Sequence, residues 1–149
     1  MIKTTEPLAL TYNLGHCLHR ASQQADDAFS AAAADLDLTA RQLTVLEIIE
    51  QVDRPSQMDI CSHSGIDRST IADMVLRLIK KGFIERRRSR SDARRYALQL
   101  TEPGHQVLQS ARPIARDVEA RIASGLPSKD IGQLVGDLKA LAAAETFPV

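Results

Sequence analysis

Apolar residues recur at three- and four-residue steps from Leu10 to Ala32, through Leu14, Cys17, Leu18, Ala21, Ala25, Ala28 and Phe29. That is the helical period, and it predicts a long amphipathic helix over about 7–34. A helix carrying so many alanines permits close approach, so it is expected to pack on another helix or a second subunit. A second helix is predicted from Ala40 to about Gln51. At its start Thr39 can cap the amide three residues on, Gln42 can reach back, and Leu38 can staple onto Leu43. Its core face is Leu43, Val45, Leu46 and Ile49, and Asp53-Arg54-Pro55 breaks it. Ser56 then caps a short helix over 57–63. In the turn Ser64-Gly65-Ile66-Asp67, Gly65 is free to take a positive φ and Asp67 is placed to cap a further helix.

That helix begins at Arg68. It sets Ile71, Val75, Leu78 and Ile79 on one face and Ser69, Thr70, Asp73, Arg77 and Lys80 on the other. Gly82 stops it. Phe83-Ile84 enters a strand ending near Arg88, a polar basic loop comes next, and the alternation Arg95 to Leu100 predicts a second strand, so the pair reads as a β-hairpin. Thr101-Glu102-Pro103-Gly104 opens a helix to about Ser124, with a bend expected at Pro113, and a last helix is predicted from Ile131 to Ala144. Helix, short helix, glycine turn, helix with a polar face and basic hairpin together spell a winged helix-turn-helix. The fold class is therefore mostly α with a small β-hairpin wing. We read a single domain over 1–149, with the winged helix-turn-helix lobe at about 37–104 and flanking helices at about 7–36 and 105–149.

The chain's 149 residues are 44% hydrophobic and 26% charged, which fits one globular domain and excludes disordered and collagen-like classes. No apolar run is long enough to span a bilayer and no signal peptide is recognisable, so a cytoplasmic protein is expected. Cys17 and Cys61 make neither a disulfide framework nor a zinc signature. Net charge is zero, yet Arg77–Arg95 holds nine basic and two acidic residues, a local +7 that leaves −7 on the rest of the chain. A basic segment on an acidic body is what local docking on phosphates requires. A solvated charge run is the plain alternative.

The neighbouring residues favour duplex DNA. A recognition helix needs short hydrogen-bonding side chains near its N-terminus to sit deep in the major groove, and Arg68, Ser69 and Thr70 stand there, with Asp73 and Arg77 continuing the stripe. Arg88, Arg90 and Arg94 sit on the hairpin loop, a shape able to reach an adjacent minor groove. Asp92 serves either to brace an arginine or simply to form the turn.

Asp67-Arg68-Ser69-Thr70, the run Leu78 to Arg86 with its Lys-Gly-Phe-Ile-Glu-Arg, then Asp92-Ala93-Arg94-Arg95 and Leu100-Thr101-Glu102-Pro103-Gly104 together resemble the MarR (multiple antibiotic resistance regulator) family. Leu38 to Leu46 is similar to that family's second helix. The resemblance spans nearly the whole chain. It implies a homodimer built by the N-terminal helix and the last two helices, each half reading half of a pseudo-palindromic operator. It also implies that Arg94 enters the minor groove with Asp92 as its brace. The family's habit is repression relieved by a small molecule, often an aromatic acid or its derivative such as a CoA thioester, bound between the dimer helices and the DNA-binding lobe.

Tyr12, His16, His19 and Arg20 on the first helix are the candidate effector contacts, weighed against plain packing or exposure. One branch of the family senses peroxide through a cysteine near the start of this helix. Cys17 lies a residue or two short of that spacing to Thr39, and only Tyr12 and Tyr96 are available as sensor tyrosines. The four histidines have no acidic or sulfur partners at a familiar metal spacing, so no metal and no cofactor are expected. No nucleophile elbow, phosphate-binding glycine loop or metalloprotease spacing is present, so an enzyme is not expected. A redox regulator acting through Cys17 and a pure protein-interaction module are the alternatives to an effector-released repressor.

Overall fold

A computed structural model describes residues 13–88, 96–127 and 130–144. Six helices and one hairpin are seen among them: α1 (Leu14–Ala32), α2 (Ala40–Gln51), α3 (Gln57–Ser64), α4 (Arg68–Lys80), β1 (Ile84–Arg88), β2 (Tyr96–Leu100), α5 (Glu102–Gly125) and α6 (Ile131–Ala143). The chain forms two compact units, 1–118 and 119–149.

In the first unit each helix starts where a side chain satisfies its open amides. Thr39 and Gln42 form a reciprocal capping box at α2, with both hydrogen bonds at 3.2 Å. Ser56 and Asp59 form a second at α3, where Asp59 Oδ2 accepts from the Ser56 amide at 2.7 Å. The serine cap was legible in the sequence and its aspartate partner was not read. Gly65 ends α3 at φ +69°, and Asp67 caps α4 by accepting from the Thr70 amide at 2.9 Å. Gly82, at φ +76°, closes α4. Both glycines hold left-handed positions that a Cβ would strain.

The core of this unit is assembled from α2 to α5, where Leu46, Ile60, Ile71, Leu78, Ile84, Leu98 and Leu108 are all fully buried, and α1 adds Phe29. Each such side chain contributes roughly 1.5–3 kcal/mol by leaving water. On α4 the buried set is Ile71, Met74, Val75 and Leu78, and Ile79 is only half-buried. The expected core face is thus corrected by one residue. At about 100° per residue, Ile79 lies about 80° round the helix from Ile71, whereas Met74 lies about 60° on the other side and completes the face.

β1 and β2 pair antiparallel, Ile84 opposite Leu100, Arg86 opposite Leu98 and Arg88 opposite Tyr96. Alternation gives the hairpin two chemically different faces. Ile84, Leu98 and Leu100 are buried on one face and lead out to exposed Arg86, Arg88 and Tyr96, while Glu85, Arg87 and Gln99 occupy the other. The free edge of β2 is not left open, because the Leu98 amide donates to the Pro55 carbonyl at 2.9 Å and pins the α2–α3 loop beside it.

α5 enters against the hairpin's base. Thr101 Oγ1 donates to the Gly82 carbonyl at 2.5 Å and accepts from the Gly104 amide at 3.1 Å. Gly104 leaves no room for a side chain, since a Cβ there would stand 1.9 Å from the Phe83 carbonyl oxygen. Arg112 then ties α5 to α2, bonding Glu47 at 2.8 and 3.0 Å and also Glu50. Its guanidinium pulls the Glu47 carboxyl below the usual range, and the two carboxylates push the arginine further up. α5 remains one helix through Pro113.

The second unit holds the end of α5 and α6. Asp130 caps α6 by accepting from the Gln133 amide at 2.8 Å. Val135 and Leu138 on α6 are exposed, as is Leu14 on α1 in the first unit. No helix among the described residues is long and apolar enough to cross a membrane.

Candidate nucleic-acid interface

α4 presents one continuous exposed stripe: Arg68, Ser69, Asp73, Leu76, Arg77 and Lys80, with Thr70 half-exposed at its edge. The sequence-based candidates on this helix therefore come together on a single surface. Their hydrogen bonding is more specific than the sequence implied. The Ser69 and Thr70 hydroxyls both donate to the Asp67 carboxylate, at 2.7 and 2.6 Å. With these two hydroxyls and the Thr70 amide on it, Asp67 is held far below the ordinary carboxylate range. Because their protons are committed to the cap, Ser69 and Thr70 face outward chiefly as acceptors.

The donors on this surface are arginines. Arg68 Nε lies 3.0 Å from Met58 Sδ, so its stem leans across the start of α3 and its two terminal nitrogens stay available. Arg77 Nε donates to Asp73 Oδ2 at 2.7 Å, both side chains about two-thirds exposed. Asp73 thus orients a neighbouring guanidinium, a pairing the i, i+4 spacing offers. Leu76, 56% exposed in the middle of the stripe, was not singled out from sequence. It is an apolar group on a polar face, suited to a thymine methyl.

The hairpin carries a cleft on each of its sides. The inner cleft, about 660 Å³, is lined by Ser56, Gln57, Met58, Asp59, Arg68, Arg86 and Tyr96. Arg86 donates to Gln57 Oε1 at 3.5 Å across it. The outer one, about 380 Å³, is lined by Arg54, Arg87, Arg88, Ala97, Leu98 and Gln99. Glu85 Oε1 accepts from Arg87 at 2.9 and 3.1 Å and from Gln99 at 2.6 Å, which holds its carboxyl below the usual range. Arg54, Arg86 and Arg87 were missed as candidates from sequence. Arg86 and Arg87 carried the signal of the basic run, whose two faces only strand register separates, whereas Arg54 carried none and is brought there by the fold. Arg90, Asp92 and Arg94 lie outside the described residues, as does Tyr12.

His16, Cys17, His19 and Arg20 are all exposed along α1. Asn13 caps that helix, accepting from the His16 amide at 3.1 Å. None of the three cavities at the hairpin and its base is lined by them; the third, about 330 Å³, lies between the end of α2 and β2 and reaches His105. Among the described residues no three His, Cys, Asp or Glu side chains group as metal ligands.

Residues 38–96, from the start of α2 to the first residue of β2, match the MarR family model. The HTH-type transcriptional repressor NicR of Pseudomonas putida is 29% identical over 112 residues, which is 75% of this chain and 71% of NicR. Among solved structures, the transcriptional repressor CouR bound to a 23-mer DNA duplex superposes with a TM-score of 0.82 at 28% identity, covering 92% of this chain and 97% of CouR. Residues 38–96 therefore form a MarR-family domain. Bordetella bronchiseptica BpsR, solved in a study of its regulation by 6-hydroxynicotinic acid, has the same fold, with a TM-score of 0.84 at 24% identity over 94% of this chain and all of BpsR. With this domain, the protein is a DNA-binding transcriptional regulator of winged helix-turn-helix fold.

Proposed function

We propose that this protein is a cytoplasmic homodimeric repressor that holds a pseudo-palindromic operator and releases it when a small aromatic acid or a derivative of one binds. The observation that carries the DNA half of this reading is the exposed stripe of α4. It brings two arginines and two acceptor hydroxyls onto one surface beside a hairpin that bears Arg86, Arg87 and Arg88. Ser69, Thr70 and Arg77 read base edges or adjacent phosphates, with Asp73 holding Arg77 in place. Arg68 and Arg88 take phosphates, and Arg90 and Arg94, with Asp92 beside them, belong to the minor-groove end of the wing.

Two features support the dimer: the alanine-rich α1 with exposed Leu14, and α6, which buries no residue of its own and leaves Val135 and Leu138 exposed. The effector class is suggested by BpsR, whose structure was solved with regulation by 6-hydroxynicotinic acid in view. The exposed His16, His19 and Arg20 of α1 are the groups here able to meet a carboxylate.

The test is fluorescence-anisotropy titration of the purified protein on the promoter DNA beside its own gene, against random duplex of equal length. Salt-sensitive preference for the promoter, abolished by one member of a panel of aromatic acids and their CoA thioesters, is the expected result. Equal affinity for both duplexes would reject an operator-specific repressor. Release by peroxide that is lost in Cys17→Ser would instead establish the redox reading.

A further inference from the structure

The outer face of the wing carries an arginine site that the recognition helix does not use. Arg54 comes from the α2–α3 loop, which the Leu98–Pro55 hydrogen bond fastens to the edge of β2. It shares one cavity with Arg87 of β1, bordered by the strand at Arg88, whose side chain belongs to the other face. Arg54 is poorly neutralised: its Nε stands 4.0 Å from Asp53 Oδ1, beyond hydrogen-bond length, and the Asp53 side chain is 99% exposed to water. Arg87 is oriented differently, braced by Glu85, which is itself held by Gln99. With the Glu85 carboxylate already engaged by Arg87 and Gln99, Arg54 gives the cavity its weakly countered positive charge. The inner cleft on the opposite face has its own arginines, Arg68 and Arg86.

A minor groove is about 6 Å wide, so a hairpin entering it meets a sugar-phosphate strand on each face. The two arginine clefts match that arrangement. We infer that the Arg54–Arg87 cavity is a phosphodiester site for the strand on the outer side of the wing, making the wing a two-sided clamp in which a residue outside the hairpin takes part. The inference rests on the DNA-reading function proposed above. Arg87 stands on the strand and approaches with the wing. Arg54 closes the site from the side, and its guanidinium can bind two phosphate oxygens at once.

The experiment is operator titration by anisotropy across a salt series, for the wild type, Arg54→Asn and Arg54→Lys. Asparagine tolerates the positive φ of 50° found at Arg54, and Arg54→Gly, which adopts it freely, replaces it if the first variant melts early. Every phosphate left unneutralised should lower the slope of log K against log salt by about 0.9, so giving up one per protomer lowers it by about two per dimer. The result expected is that drop in Arg54→Asn or Arg54→Gly, several-fold weaker binding at low salt, and a wild-type slope in Arg54→Lys. A neutral variant with the wild-type slope overturns the site, even if its affinity falls, because a packing defect lowers affinity without releasing fewer counterions. If the wild type itself shows no salt-sensitive binding, it is the proposed function that fails.

Discussion

Replacing Asp73 by asparagine separates two roles that the recognition helix offers it. As an orienting group, Asp73 holds Arg77 through a 2.7 Å ion pair but places a negative charge on a surface that meets phosphates. As a base reader, it would accept a hydrogen bond from a cytosine amino group. The structural cost of removing the charge is small. Both side chains are largely exposed, and an i, i+4 pair of this kind is worth about 0.3–0.5 kcal/mol. The electrostatic gain on DNA is larger. A carboxylate about 7 Å from one phosphate, at an effective dielectric of about 40–80, repels it by about 0.6–1.2 kcal/mol. Doubled over the two recognition helices, this comes to about 1.2–2.4 kcal/mol, or at least roughly 10-fold in affinity. The freed Arg77 Nε adds to this. We therefore expect Asp73→Asn to bind random duplex roughly 10-fold more tightly at low salt, with operator affinity equal or higher and a melting temperature within about 2 °C of wild type. Anisotropy on both duplexes, with circular dichroism for stability, reads all three quantities. Operator affinity more than 10-fold weaker, with stability intact, would refute the reasoning and place Asp73 on a base.

Gly104→Ala is expected to destabilise the protein by about 3 kcal/mol, because its methyl must displace the Phe83 carbonyl and with it the hydrogen bond from the Thr101 amide. For a chain of this size the melting temperature should fall by about 6–12 °C, and a fall under 2 °C would show that the hairpin base yields freely. Arg112→Met should lose about 1–2 kcal/mol in denaturant titration, since it leaves Glu47 and Glu50 part-buried beside an apolar chain. The Glu47 carboxyl is held low in the folded state, so its share of the stability is complete above its unfolded pKa of about 4.3 and disappears as pH falls through the depressed value. The acid limb of the stability curve should therefore be shallower in Arg112→Met than in wild type, and identical limbs would show that the Arg112 pair is not what lowers Glu47. Leu76→Ala should weaken operator binding more than binding to random duplex, without lowering the melting temperature, since the side chain is exposed. Equal loss on both duplexes would remove it as a reader of sequence.

The elements of the protein were written locally. Thr39 with Gln42, Ser56, Gly65 with Asp67, and Gly82 each act within three or four residues, so caps, stops and period placed both strands and the described helices close to where they lie, except the start of α1, expected near residue 7 and capped instead by Asn13. The polar stripe of α4 was legible for the same reason, because helical geometry alone sets Ser69, Asp73 and Arg77 in line. Even the Asp73–Arg77 pair was available in the i, i+4 spacing. The roles of these groups needed more. Whether Ser69 and Thr70 donate outward or into Asp67 depends on hydroxyl rotation around a formed cap, and which of Met74 and Ile79 enters the core depends on where the neighbouring helices press. Contacts between distant residues were decided by the tertiary structure alone. Arg112 meets Glu47 across 65 positions of sequence, and Gly104 is required only because the Phe83 backbone passes it. Arg54 joins Arg87 because one hydrogen bond from Leu98 fastens its loop to the hairpin edge. Pairing and packing at long range depend on how the whole chain closes, which no short window of residues contains.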